Sequence, residues 1–229
     1  DYTSPAFLTS GGQTRILGLW DQTIVSGITP YDLGYGTAYT SEEINLALQS
    51  DRPFDLIPSM DTNGHGTFLA GIAAGTPDRS EQFLSAAPEA ELAVVKLKNA
   101  KPYLQNYFLA DTEQPVFQET DIMMGIRYLV ILSILSEKPL VICLGLGTNQ
   151  GDHSGNSALD RLLTYYVDYQ NCFCTCAGGN ETGAGHHFSS IAPFSPESTM
   201  TEINVPSAHS GFCLEIWASS PALYTLTVT

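Results

Sequence analysis

Short apolar runs that read as strands alternate along this 229-residue chain with segments that read as helices, and the alternation predicts an α/β fold around a mostly parallel central sheet. Pro139 to Leu144 is a continuous apolar run of the kind that parallel sheets bury on both faces. With 43% hydrophobic residues against 14% charged ones and a mean hydropathy of +0.01, the chain carries enough apolar surface to offset the entropy of ordering. Its length fits one large domain, or one domain with a small appendage.

Taken in order, the first strand is Arg15 to Trp20, which follows the turn-like Gly11-Gly12 and delivers Asp21 at its end. A carboxylate closing a buried strand is badly placed for packing and well placed for a site. Thr40-Ser-Glu-Glu43 has the form of a capping box and opens a helix through about Gln49. Pro53 and Pro58 mark residues 51–60 as a loop. The next helix runs from about His65 to Ala74, rich in small residues and therefore able to pack closely, with Gly75 as its C′ residue. Ala90 to Leu97 is a strand, and a Tyr-, Gln- and Pro-rich loop follows from about Lys98 to Glu119. Thr120-Asp121 caps an amphipathic helix to about Ser136, with Ile122, Ile126, Leu129, Val130 and Ile134 on one stripe. After the Pro139 to Leu144 strand come a helix from Asn156 to Asp168 and a buried strand from Cys172 to Cys176. From about Thr199 the pattern changes. Phe212 to Trp217 and Tyr224 to Val228 alternate apolar and polar residues about a turn at residues 219–222, as half-buried antiparallel strands do. These observations divide the chain into a body, residues 1–198, and the start of a β-rich module, residues 199–229.

Nine Lys and Arg against 24 Asp and Glu give a net charge of −15. Nucleic acid and anionic membrane both call for clustered basic side chains, so neither is expected as a partner. The longest apolar run, Leu129 to Leu135, is far shorter than the roughly 20 residues that span a bilayer. Residues 1–10 lack the basic and apolar regions of a signal peptide. Cys172, Cys174 and Cys176 share one strand face and lack the spacing of a zinc site, so they are read as inert buried thiols. His153, His186, His187 and His209 sit in polar or Gly-rich surroundings and are read as solvated loop residues, the His186-His187 pair lacking a third metal ligand. No cofactor is called for. The acidic excess is solvated surface with room for a structural calcium ion, which no spacing locates.

His65 is the candidate centre of chemistry, because a neutral imidazole between Gly64 and Gly66 at a helix start can act as a general base. The string His65-Gly-Thr-x-x-Ala-Gly-x-x-Ala-Gly75 resembles the histidine signature of the subtilisin-like serine proteases, the subtilase family. The strand ending at Asp21 resembles that family's aspartate motif, and the family's chain order of Asp, His and Ser is respected as far as it goes. Residues 86–96 resemble the segment between the histidine helix and the next core strand. Leu144-Gly-Leu-Gly147 resembles the substrate-binding strand end, and Ala177-Gly-Gly-Asn180-Glu the oxyanion-hole loop. The resemblance implies a three-layer subtilisin-like fold and hydrolysis of polypeptide substrates. In it Asp21 orients His65, His65 takes the serine proton, and the Asn180 amide donates to the oxyanion. An extended peptide lies along Gly145, Leu146 and Gly147, with Ala177, Gly178 and Gly179 forming the opposite wall.

The sequence departs from the pattern in three places. Asp21 is followed by Gln22-Thr23 where the family carries Thr-Gly or Ser-Gly, and Gly145 stands where many members have serine. The Gly-Thr-Ser helix start that carries the nucleophile has no match. The expectation is therefore a truncated catalytic domain interrupted after Asn180 by a β-sandwich insert, similar to the jelly-roll insert of clostridial subtilases related to spore-germination proteases. Its missing C-terminal part carries the serine, and this polypeptide alone is inactive. The alternative is a non-catalytic pseudoprotease that keeps the fold for binding. The resemblance implies export or spore association, whereas the unpaired cysteines suit a reducing setting.

Overall fold

The first strand, β1 (Ile16–Asp21), pairs with β2 (Thr37–Thr40) on one side and β3 (Leu92–Lys96) on the other. The β1/β3 pair is parallel and the β1/β2 pair antiparallel. Further along, β4 (Leu140–Leu144) and β5 (Cys172–Cys176) pair in parallel as a separate two-stranded sheet. The computed structural model describes residues 1–229 except 27, 111–112, 191–199, 206, 208–210, 219, 222 and 229. The expected single, mostly parallel sheet is thus two sheets among the described residues. One of them carries an antiparallel strand because the chain leaves β1 through a helix-free loop, without the crossover helix that usually returns a strand in parallel. Gly36, at φ +70°, lets the chain enter β2 against β1: a Cβ there would strike the Trp20 indole and come within 2.8 Å of the Asp21 carbonyl oxygen.

Helices cover both faces of the three-stranded sheet. On one face Leu19 packs with Ile44 and Ala47 of α1 (Ser41–Leu48), joined by Tyr2, Phe7, Tyr39 and Ile57. α1 begins where the capping box places it, with the Thr40 hydroxyl accepting from the Glu43 N–H and the Glu43 carboxylate accepting from the Thr40 N–H. On the other face Trp20 stacks on Tyr128 of α5 (Glu119–Ser136), ring centroids 5.5 Å apart. The same helix reaches the second sheet through Ile126 and Val130, which pack on Ile142 and Cys172. Leu159, Leu162 and Leu163 of α6 (Ala158–Tyr169) close that cluster. Apolar side chains of α5 thereby face both sheets, Ile126 and Val130 one of them and Tyr128 the other, so the helix is not the one-stripe amphipathic helix that its sequence predicts.

Other differences have local causes. The loops expected at 51–60 and 98–119 contain α2 (Pro53–Leu56) and α4 (Pro102–Tyr107), each nucleated by a proline in its first turn. α5 starts after Gln118, and the Asp121 carboxylate pairs with Lys98 and accepts from the Tyr35 hydroxyl at 2.8 Å instead of capping the helix. Gly75 caps the preceding helix in an extended conformation. The outer face of the β4–β5 sheet is not covered: Val141 and Phe173, partners in register, are 68% and 63% exposed. In the described residues of 211–228 no strand forms. The expected alternation at 212–217 and 224–228 has no neighbouring strand to satisfy its backbone, and Glu215 instead accepts from the Gly151 N–H at 2.7 Å.

Candidate functional site

His65 is the first residue of α3 (His65–Ala74), and the turn that presents it is fixed by a carboxylate to which the sequence reading gave no role. Gly64 at the N-cap has no acceptor to offer, so Asp61 supplies one. Its Oδ1 accepts from the Asn63 and Gly64 N–H groups at 3.0 and 2.7 Å, and its Oδ2 from the Thr67 N–H and hydroxyl at 3.1 and 2.5 Å. The Asn63 side chain accepts from the His65 N–H at 3.2 Å. Partial burial pushes the Asp61 carboxyl upward, but the Thr67 hydroxyl and the three N–H donors outweigh it and hold it well below the usual carboxylate range. Because the folded group binds its proton more weakly than the unfolded one, its stabilisation is full above the ordinary Asp range and disappears as pH falls through the folded value. Thermal melts run from pH 6 downward should therefore lose stability below about pH 4, and Asp61→Asn should flatten that part of the curve.

The imidazole of His65 is exposed and has no hydrogen-bond partner among the described residues. It lies against the loop that leaves β4: a Cβ on Gly145 would sit 3.7 Å from His65 Cε1 and would collide with the Leu69 side chain. Glycine at 145 therefore accommodates Leu69, one turn along α3 from His65. The ends of β4 and β5 are held together by the Ala177 N–H, which donates to the Leu144 carbonyl at 3.1 Å. This places Gly145, Leu146 and Gly147 on one exit loop and Ala177, Gly178, Gly179 and Asn180 on the other, side by side at the same end of the sheet. Residues 177–180 are exposed. Past them, Glu181 ties the two loops together, with its Oε2 accepting from Asn149 Nδ2 at 2.6 Å and meeting His186 Nδ1 at 2.6 Å. These contacts, His186 first and Asn149 second, lower the Glu181 carboxyl.

Asp21 is at the other extreme of burial, 0% exposed. Its Oδ1 accepts from the Thr23 N–H and hydroxyl at 2.8 and 2.5 Å, and its Oδ2 from the Ser59 hydroxyl at 2.7 Å and the Lys96 ammonium at 3.1 Å. Lys96 ends β3 directly opposite Asp21 in the parallel register. Among the described residues, no hydrogen bond joins Asp21 to His65. Gln22, also buried, donates to the Asp121 carbonyl at 2.9 Å and accepts from the Lys98 N–H at 3.3 Å, so the departure from the family's Asp-Thr/Ser-Gly pattern ties β1 to α5 and to the chain after β3. Ser59 and Lys96 were missed as site residues. The signal for Lys96 was present as a lysine closing an apolar strand, but its meaning depends on register.

The remaining candidates show little organisation. His153 and His187 stack with ring centroids 5.0 Å apart, and both are exposed; His209, with Ser210 and Ser219, lies outside the described residues. No group of three His, Cys, Asp or Glu side chains among the described residues is placed to hold a metal ion. Cys174 and Cys176 approach to 3.9 Å between sulfurs, and all five thiols are free. No helix among the described residues is long and apolar enough to cross a membrane.

Three comparisons bear on this arrangement. The model of the subtilase family matches residues 39–212. Among solved structures, the CspB protease of Clostridium perfringens is similar at 30% identity and a TM-score of 0.67, over 81% of this chain and 35% of that one. The chain thus spans about a third of that protease's length. A comparison with curated proteins gave no match. The family match covers most of the chain and includes His65, the β4 exit loop and Asn180, and on that ground the chain belongs to the subtilase family.

Proposed function

We propose that this chain is the N-terminal part of the catalytic domain of a subtilisin-like serine endopeptidase, the part that bears its Asp and His. The observation that carries the reading is the placement of His65, at the start of a helix clamped by Asp61, against Gly145 at the exit of β4. His65 is the general base and Asp21 the carboxylate that stabilises the imidazolium formed when the serine proton is taken. The nucleophile lies outside these 229 residues, which contain no Gly-Thr-Ser. An extended substrate pairs with the backbone of Gly145, Leu146 and Gly147, and Ala177, Gly178 and Gly179 form the facing wall. Asn180, exposed at the end of that wall, donates its amide to the oxyanion. Residues 199–229 begin an insert in the catalytic domain. Export or spore association is the location that the family resemblance favours.

The chain by itself should hydrolyse no peptide, whereas the polypeptide extended to include the serine should. In that longer protein, Asn180→Ala should lower kcat by about 10²–10³ with little change in KM; an unchanged kcat would remove Asn180 from the oxyanion site. The pseudoprotease reading is favoured by one observation, the four donors that fill Asp21 while His65 stands alone. It predicts no hydrolysis by the extended protein either.

A further inference from the structure

We infer that Lys96 and Ser59 are positioning residues of the aspartate, which hold Asp21 as a carboxylate apart from His65, so that His65 gains its partner only when Lys96 leaves Oδ2. The inference rests on the peptidase reading for its meaning and on hydrogen-bond counting for its content. A carboxylate offers about four lone-pair sites. All are occupied, by Thr23 N–H, Thr23 Oγ1, Ser59 Oγ and Lys96 Nζ. An imidazole N–H approaching Asp21 must therefore displace a donor. Thr23 is two residues along the same turn, and Ser59 is buried. Lys96 is the donor with somewhere to go, since about a third of its side chain faces solvent. Its withdrawal would leave Oδ2 with the Ser59 bond, which keeps the carboxylate aimed, and with a vacant lone pair.

The other charged groups around Asp21 do not compete for that position. Tyr39 on β2 has its phenol raised by burial, then by the charges of Asp21 and Glu43, so it is neutral at neutral pH. Glu43 on α1 is taken by the Thr40 N–H. Asp121 on α5 is taken by Lys98 and Tyr35. On the α3 side, Asp61 is filled by its turn, and the amine of Asp1 bonds the Thr67 hydroxyl. That amine is lowered by burial first and also by the Lys96 charge, so it changes alike in Lys96→Met and in the double variant, and the comparison of those two removes its contribution.

The test is the proton titration of His65, followed by NMR in the 229-residue chain, in four forms: unaltered, Asp21→Asn, Lys96→Met and the double variant. The expected result is the same His65 midpoint in the unaltered chain and in Asp21→Asn, a rise of about one pH unit in Lys96→Met, and loss of that rise in the double variant. A lower midpoint in Asp21→Asn alone would mean that the pair is already coupled beneath Lys96, and an unmoved midpoint in folded Lys96→Met would mean that Lys96 holds nothing back. Either overturns the inference. Should Lys96→Met not fold, Ser59→Ala opens the same oxygen, with a smaller rise expected and an unmoved midpoint counting against it. None of these midpoints depends on catalysis, so absence of peptidase activity would defeat the functional reading without altering them.

Discussion

His65→Ala in the serine-containing protein should lower kcat by about 10⁶ while the protein stays folded. The magnitude follows from His65's two duties, taking the serine proton during attack and returning it to the leaving amine, neither of which a neighbour can assume. Among the described residues His65 is the histidine nearest to Gly145. Stability should change little, because the imidazole is exposed and makes no hydrogen bond among the described residues, while the turn that presents it is held by Asp61 through backbone groups and Thr67. Alanine is also a better helix former than histidine. A drop in Tm of more than a few degrees with modest loss of kcat would reverse the assignment, making His65 structural.

The second large effect is expected at Asp21, and there fold and rate should fall together. Asp21→Asn keeps the shape but replaces one acceptor oxygen with a donor NH₂, facing either the Thr23 pair or Ser59 and Lys96. The site is fully buried, so the mismatch should destabilise the chain by about 2–4 kcal/mol. Rotating the amide does not help, because both sides of the carboxylate are met by donors. In the active protein the same change removes the charge that stabilises the imidazolium and should cost about 10⁴ in kcat. Denaturant unfolding of the short chain and kinetics of the long one read the two effects separately.

These contrasting predictions show how far the sequence was legible. Asp21, His65, Gly145 and Asn180 stand in local patterns with fixed spacing, as does the Thr40 capping box; the Ser157 cap of α6, where hydroxyl and Asp160 carboxylate satisfy each other's backbone, is equally local but went unread, the helix being expected from Asn156. Such features involve residues close in the chain and can be read without knowing what lies across from them. What Asp21 touches could not be read that way. Lys96 is 75 positions distant and Ser59 is in a proline-bounded loop, and only the parallel register of β1 on β3 brings the ammonium to the carboxylate. The second sheet was misjudged for a related reason: an apolar run such as Pro139 to Leu144 shows that a strand has apolar faces, not that both are covered, and Val141 remains open. Alternation at 212–217 likewise describes a strand that still requires a neighbour.

Asp61 shows the reverse case. Its place four residues before His65 was visible, but the sequence alone made it one more polar residue in a Gly-rich turn. The bonds it accepts in that turn explain how the turn is held although residues 62–66 are exposed.

The most direct measurement is labelling of the serine-containing protein with a fluorophosphonate, followed by mapping of the modified residue. The expected result is stoichiometric label on one serine outside these 229 residues, absent in His65→Ala. Label on any serine within residues 1–229, or equal labelling with and without His65, would contradict the assignment of this chain as the histidine-bearing part of a subtilisin-like peptidase.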